Sequence, residues 1–311
     1  MRREYPIKMF FVIFMFSLRQ LRIKAMQYLF SSSIQQKAIE EETESFVLTP
    51  KEKRKIRKSI QASVAMIHQL HANLLQLIDK WAKIEKQRAE SVVIRPPTPI
   101  SDDPLLTTLQ NHPAFIQLCQ TYPFDFSMYM VEEWYTSYLS HPYATKARPQ
   151  AAGSLMEHLV KYFFKVEGIQ AECQKRDICW EEDRNIVYRR IRRFIDLFPQ
   201  APEKSFALYE ERLPADKEDF YVKLVEKTLT SIEKHDQQLK AFVENWSFER
   251  INPLDQTLIR MTLTEISDFP HIPAKVSINE YLDIAKAYST PKSSAFINGV
   301  ADKIAKFIPN A

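Results

Sequence analysis

The chain has 311 residues, 45% of them hydrophobic and 12% aromatic, enough for one large domain or two ordinary ones around a substantial core. Only three glycines are present, Gly153, Gly168 and Gly299, which leaves little material for tight hairpins or glycine-rich phosphate loops and argues against nucleotide-binding folds. The net charge of +4 is uneven: residues 1–24 and 51–58 each carry six basic residues and one acid, "YRRIRR" at 188–193 carries four basic residues, and the remainder is acidic, as expected if a polyanion is bound at defined places.

The first sixteen residues, "MRREYPIKMFFVIFMF", place an apolar run from Met9 to Phe16 behind a basic start. That run is far shorter than the roughly 20 residues needed to cross a bilayer, and "SLRQLRIK" after it lacks a small-residue cleavage site. An irregular extension with no membrane role is expected at 1–16, upstream of the native start if translation begins at Met15. An intact mass with Met1 or Arg2 at the terminus would reject that start.

From Leu18 to about Ser32 the chain reads as a helix with Leu18, Leu21, Ala25, Tyr28 and Leu29 on one face and Arg19, Arg22 and Lys24 largely off it. A second helix is expected from Thr49-Pro50 to about Arg88, because Ile60, Val64, Ile67, Leu70, Leu74, Leu77, Ile78 and Trp81 recur three or four apart. Its basic entry is unfavourable at a helix N-terminus unless an anion or acidic neighbour compensates. The proline-rich stretch at 92–104 breaks the pattern. Aromatic-rich helical segments follow near 105–121, 126–140, 152–175 and 181–197, and Pro199, Pro202 and Pro214 punctuate the approach to the last hundred residues.

Four helices are expected to close the chain as a compact bundle. Asp216, Glu218 and Asp219 open one whose apolar stripe runs from Tyr221 to Trp246. Asn252-Pro253 starts a second that Pro270 ends. Ser277 and Glu280 form a capping box for a third, with Val276 and Tyr281 as its hydrophobic staple. Ser293 or Ser294 caps the last, which carries Phe296, Ile297, Val300, Ile304 and Phe307. Gly299 interrupts that helix at a cost of roughly 1 kcal/mol relative to alanine, for which the usual return is close approach by another helix or a ligand.

No nucleophile motif, metalloprotease signature or convincing carboxylate pair is present, so no enzyme, cofactor or metal is expected. His68 and His71 have a spacing compatible with shared metal ligation, but without a third ligand they read as exposed histidines on a polar face. Cys119, Cys173 and Cys179 lack paired metal-ligand spacing and read as inert thiols in a reducing compartment.

The C-terminal pattern is recognisable as a set. "ERI", "LDQTLIRM", "IP", "VSINEYLDIAKAYS" and "KSSAFINGV", in order within 245–304, closely resemble the end of the NusB family of bacterial transcription antitermination factors. "LRQLRIKAMQYLF" at 18–30 resembles that family's arginine-rich first helix. The region from about 35 to 210 is much longer than in compact members and resembles an enlarged form of the family. Some RNA methyltransferases carry a NusB-like domain, but the glycine-rich cofactor loop they require is missing.

The resemblance implies an all-α, NusB-like bundle of two helical subdomains with inserted helices. Its expected parts are the extension at 1–16, an N-terminal helical region at 17–210 and a C-terminal bundle at 211–311. It implies a cytoplasmic, non-enzymatic factor that binds boxA-type RNA of nascent ribosomal RNA transcripts with the NusE-type ribosomal protein and promotes read-through by the RNA polymerase elongation complex. Mapped onto this chain, Arg19, Arg22 and Lys24 neutralise phosphates, and Tyr28 and Phe296 stack on bases. Lys292, Ser293 and Ser294 contact phosphate or base edges. Lys292 stands where the family often has an acid, which would strengthen RNA affinity. Asp255 and Glu265 match positions near the partner surface, and "FINGV" is where the last helix meets the arginine-rich one. The clusters at 51–58 and 188–193 would lengthen the RNA path. The competing reading is a helical protein adaptor that has lost specific RNA binding.

Overall fold

The computed structural model describes residues 16–37, 48–89, 99–141, 154–243 and 248–307, and every regular element among them is helical. In chain order the helices are α1 (Leu18–Lys37), α2 (Pro50–Ala89), α3 (Pro104–Gln110), α4 (Pro113–Thr121), α5 (Met128–Ser140), α6 (Ser154–Phe163), α7 (Glu167–Arg176) and α8 (Trp180–Leu197). They continue with α9 (Pro202–Phe206), α10 (Ala215–Thr230), α11 (Ile232–Phe242), α12 (Pro253–Asp268), α13 (Ala274–Tyr288) and α14 (Pro291–Phe307). The all-α fold expected from the sequence is the fold observed. Two compact units are formed, residues 1–62 with 213–311, and residues 63–212. The expected extension at 1–16 lies outside the described residues except for Phe16.

In the first unit α12 is the central helix, packed by α1, α10, α11, α13 and α14. Its residues from Asp255 to Ile259 and from Met261 to Glu265 are all buried, the pattern of a helix enclosed on every side. Thr257 and Thr262 donate to the carbonyls of Pro253 and Leu258, and Thr228 of α10 donates to Thr264 at 3.1 Å, so these buried hydroxyls have partners. The Asn252 side chain accepts from Leu254 N at 2.9 Å and Pro253 follows at the first helical position, so α12 starts where the sequence indicates.

The second unit is built round α2 beyond residue 62. Ile67, Leu70, Leu74, Leu75, Leu77, Ile78 and Trp81 are buried, and Trp81 sits among Tyr135, Tyr138, Tyr162 and Phe163. Gln76 and Glu85 on the same helix are paired: Gln76 donates to the Tyr122 carbonyl at 2.8 Å, and Glu85 accepts from Tyr135 at 2.9 Å and from Ser101 N at 2.7 Å.

Several local expectations are corrected. The segments at 105–121 and 152–175 are each two helices, because the Asn111-His112 corner before Pro113 and the turn at 164–166 end the first of each pair. The stripe expected from Tyr221 to Trp246 is broken at Ser231 into α10 and α11, so five helices close the chain; Trp246 lies outside the described residues. The Ser277–Glu280 capping box is absent, since α13 begins at Ala274 and the Ser277 hydroxyl instead donates to Glu265 at 2.6 Å. Helix α14 begins at Pro291, and Thr290 accepts from Ser293 N at 3.3 Å in the role expected of Ser293 or Ser294. His68 and His71 are buried rather than exposed.

Candidate nucleic-acid interface

The sequence before α12 forms a short 3-10 turn, Phe248–Arg250, that leaves Arg250 exposed. Asn252 then caps α12, which sets Asp255 in its first turn, where the positive end of the helix favours a carboxylate. The α13–α14 connection brings Ser289, Thr290 and Ser293 to the same place. Ser289 donates to Asp255 Oδ1 at 2.7 Å and lies 2.9 Å from the Ser293 hydroxyl, which in turn lies 2.8 Å from that of Thr290. One helical turn further on, half-buried Phe296 completes a pocket of about 230 Å³ lined by Arg250, Ile251, Asn252, Asp255, Thr290, Ser293 and Phe296.

The pocket therefore combines an apolar ring, a carboxylate acceptor, hydroxyls and a flanking guanidinium. Such a set can take an unpaired base against the ring, accept from its N–H groups and hold an adjoining phosphate. Of the residues named from the sequence, Asp255, Ser293 and Phe296 converge here. The side chains of Lys292 and Ser294 lie outside the described residues. Arg250 and Asn252 were not singled out as site residues; their signal was the "ERINP" run, in which the cap and proline fix the helix start beside a cation.

The α1 residues take other places. Arg19 is partly exposed, 3.5 Å from Asp283 and 4.0 Å from Glu280. Arg22, expected off the apolar face, is 3% exposed, with Nε 2.8 Å and Nη2 2.6 Å from the carboxylate of Glu265. Burial opposes its charge, yet Glu265, Tyr281 and Glu280 outweigh that effect and raise its pKa. Lys24 is also buried, its ammonium 4.8 Å from the centre of the Phe16 ring. Tyr28 is half-buried. From Leu21 to Met26 every side chain is buried, so the face read from periodicity is too narrow.

Glu265, expected near a partner surface, is fully buried and also accepts from Ser277 and Tyr281, the latter at 2.9 Å. Burial and this carboxylate raise the Tyr281 pKa well above its ordinary value. Asp255 is likewise buried. Asn298 and Gly299 are exposed, and a Cβ added at Gly299 would meet nothing within 4 Å, so among the described residues no helix packs closely there.

Among the described residues no group of three or more histidine, cysteine or acidic side chains could hold a metal ion, and no helix is long and apolar enough to cross a membrane. The three cysteines are free, and burial pushes the Cys173 thiol up to about 12.

The NusB family model matches residues 190–306. A transcription antitermination protein NusB of Natranaerobius thermophilus is 34% identical over 109 residues, 35% of this chain and 78% of the relative. The NusB of Salinibacter ruber is 41% identical over 97 residues, 30% of this chain, and that of Thermodesulfovibrio yellowstonii 40% over 98 residues, 32% of this chain. The chain spans 61% and 64% of the lengths of those two relatives. No solved structure gives a significant match.

Proposed function

Because this chain belongs to the NusB family, we propose that it is a transcription antitermination factor that binds boxA-type RNA together with the NusE-type ribosomal protein and promotes read-through by RNA polymerase. The observation that carries this reading is the convergence of Asp255, Ser293 and Phe296, with Arg250, on one pocket inside the matched segment. In this reading an unpaired base stacks on Phe296 while Asp255 accepts from its N–H groups and Arg250 holds a phosphate. Arg19, Tyr28, Lys292 and Ser294 extend the contact along the RNA. Arg22, Lys24 and Glu265 hold the first helix in place and act on RNA or partner through that placement.

The adaptor reading has one observation in its favour: Arg22 and Lys24 are buried, so α1 does not present the open cationic face that phosphate binding would use. Anisotropy of a labelled boxA RNA, beside a scrambled RNA and with or without the NusE-type protein, separates the two. An antitermination factor prefers boxA, binds it more tightly with the partner and loses that preference in Phe296→Ala. Partner binding without any preference for boxA overturns the RNA reading in favour of the adaptor.

A further inference from the structure

The basic clusters at 51–58 and 188–193 have opposite fates. At 188–193, Arg190 is buried, 2.5 Å from Glu211 and bonded to the Leu208 carbonyl; Arg192 reaches Glu157 at 2.9 Å and lies over the Tyr188 ring. That cluster is largely spent on the architecture of the second unit.

The cluster at the start of α2 is not. Lys51, Lys53, Arg54, Lys55, Arg57 and Lys58 are all exposed, and only Arg57 makes an ion pair among the described residues, with Glu218 and Asp219 of α10. Glu52, the one acid in these turns, is tied back to Thr49, whose N–H and hydroxyl each donate to it at 2.7 Å. Ile56 and Ile60 are buried and fix the orientation of the helix. Lys51, Arg54, Lys55 and Lys58, spaced three or four apart, therefore line the solvent side over about 10 Å of helix. The positive end of the helix adds to their field. Arg22, Arg176, Arg190 and Arg260 show that this chain pairs its guanidinium groups when they serve packing. A row of like charges left open against the helix dipole is a cost that a polyanion offsets.

We propose that Lys51, Arg54, Lys55 and Lys58 form a second RNA-backbone surface, which holds phosphates of the same single strand without reading its sequence. This rests on the reading of the protein as an RNA binder. The row lies outside residues 190–306, the segment that the family model matches.

The test replaces all four residues with glutamine, which changes helix propensity little, and measures the salt dependence of anisotropy with boxA and scrambled RNA. Each lost phosphate contact on a single strand reduces the slope of log K against log salt by about 0.7, so the variant should lose about 3 from the slope for both RNAs. Its preference for boxA should persist. An unchanged slope, with circular dichroism showing an intact fold, overturns the surface while Phe296-dependent boxA binding leaves the functional reading standing. Wild type that binds neither RNA overturns both. If it instead binds phosphatidylserine vesicles and the variant does not, the row serves a lipid surface and the RNA assignment is overturned.

Discussion

Arg22 and Glu265 meet as a buried, two-pronged ion pair, with nitrogen–oxygen distances of 2.8 and 2.6 Å, that ties the first helix to the central helix of its unit across 243 positions of sequence. Ser277 and Tyr281 of α13 fill the remaining acceptor positions of the same carboxylate, and Arg22 lies 5.5 Å from the Phe220 ring centre. Four helices, α1, α10, α12 and α13, thus converge on one charge pair. Removing either partner strands the other in the core, which costs about 3–5 kcal/mol. Arg22→Met and Glu265→Leu should each lower stability by that amount in urea unfolding, whereas the double variant should recover a substantial part of it. A double variant that loses the sum of the two single costs would show that the two side chains do not act as a pair.

The same pair marks what the sequence could and could not reveal. Asn252-Pro253 and Thr49-Pro50 announced helix starts because a cap followed by proline is a local signal, fixed by backbone hydrogen bonding alone. Arg22 looked like a surface cation because helical periodicity sorts residues by polarity, and only tertiary packing supplies the buried carboxylate that reverses that sorting. Ser277 misled for a related reason: its spacing to Glu280 mimics a capping box, while its true partner is Glu265 on another helix. Phe296 and Ser293, singled out by the "KSSAFINGV" run, line the candidate pocket. Arg250 lines it too, through a turn before α12 that helical periodicity does not foretell.

Two glycines predict opposite outcomes for one substitution. A Cβ at Gly168 would sit 2.7 Å from the Trp134 indole nitrogen, and the packed Trp134 ring cannot yield cheaply, so Gly168→Ala should destabilise the second unit by about 1–3 kcal/mol. At Gly299 the added methyl meets nothing within 4 Å. Gly299→Ala should therefore stabilise the first unit by up to about 1 kcal/mol through helix propensity. A thermal unfolding scan of both variants checks the contrast. If Gly299→Ala stabilises the fold yet weakens boxA binding, the glycine serves close approach by the ligand.

The second unit should also be acid-sensitive. His71 is stacked on Tyr209 at 4.6 Å and meets Phe194 edge-on, while His68 lies 3.3 Å from the Tyr122 hydroxyl, with Arg190 nearby. Neither ring nitrogen of His71 has a hydrogen-bond partner among the described residues. Burial, reinforced by the Arg190 charge, lowers the His68 pKa to about 4 and that of His71 well below its ordinary value. Both imidazoles are therefore neutral when folded, whereas in the unfolded chain they titrate near 6.5. Between about pH 6.5 and 4 the unfolded state binds more protons, so stability falls as pH falls, by on the order of 3 kcal/mol for His68 alone. Three of the four tryptophans, Trp81, Trp134 and Trp180, lie in this unit, so tryptophan fluorescence follows it predominantly. Urea midpoints read by that signal should drop from pH 7.5 to pH 5 in the wild type and drop less in His71→Phe, which cannot take up the proton. Parallel losses in the two proteins would exclude His71 as a source of the sensitivity.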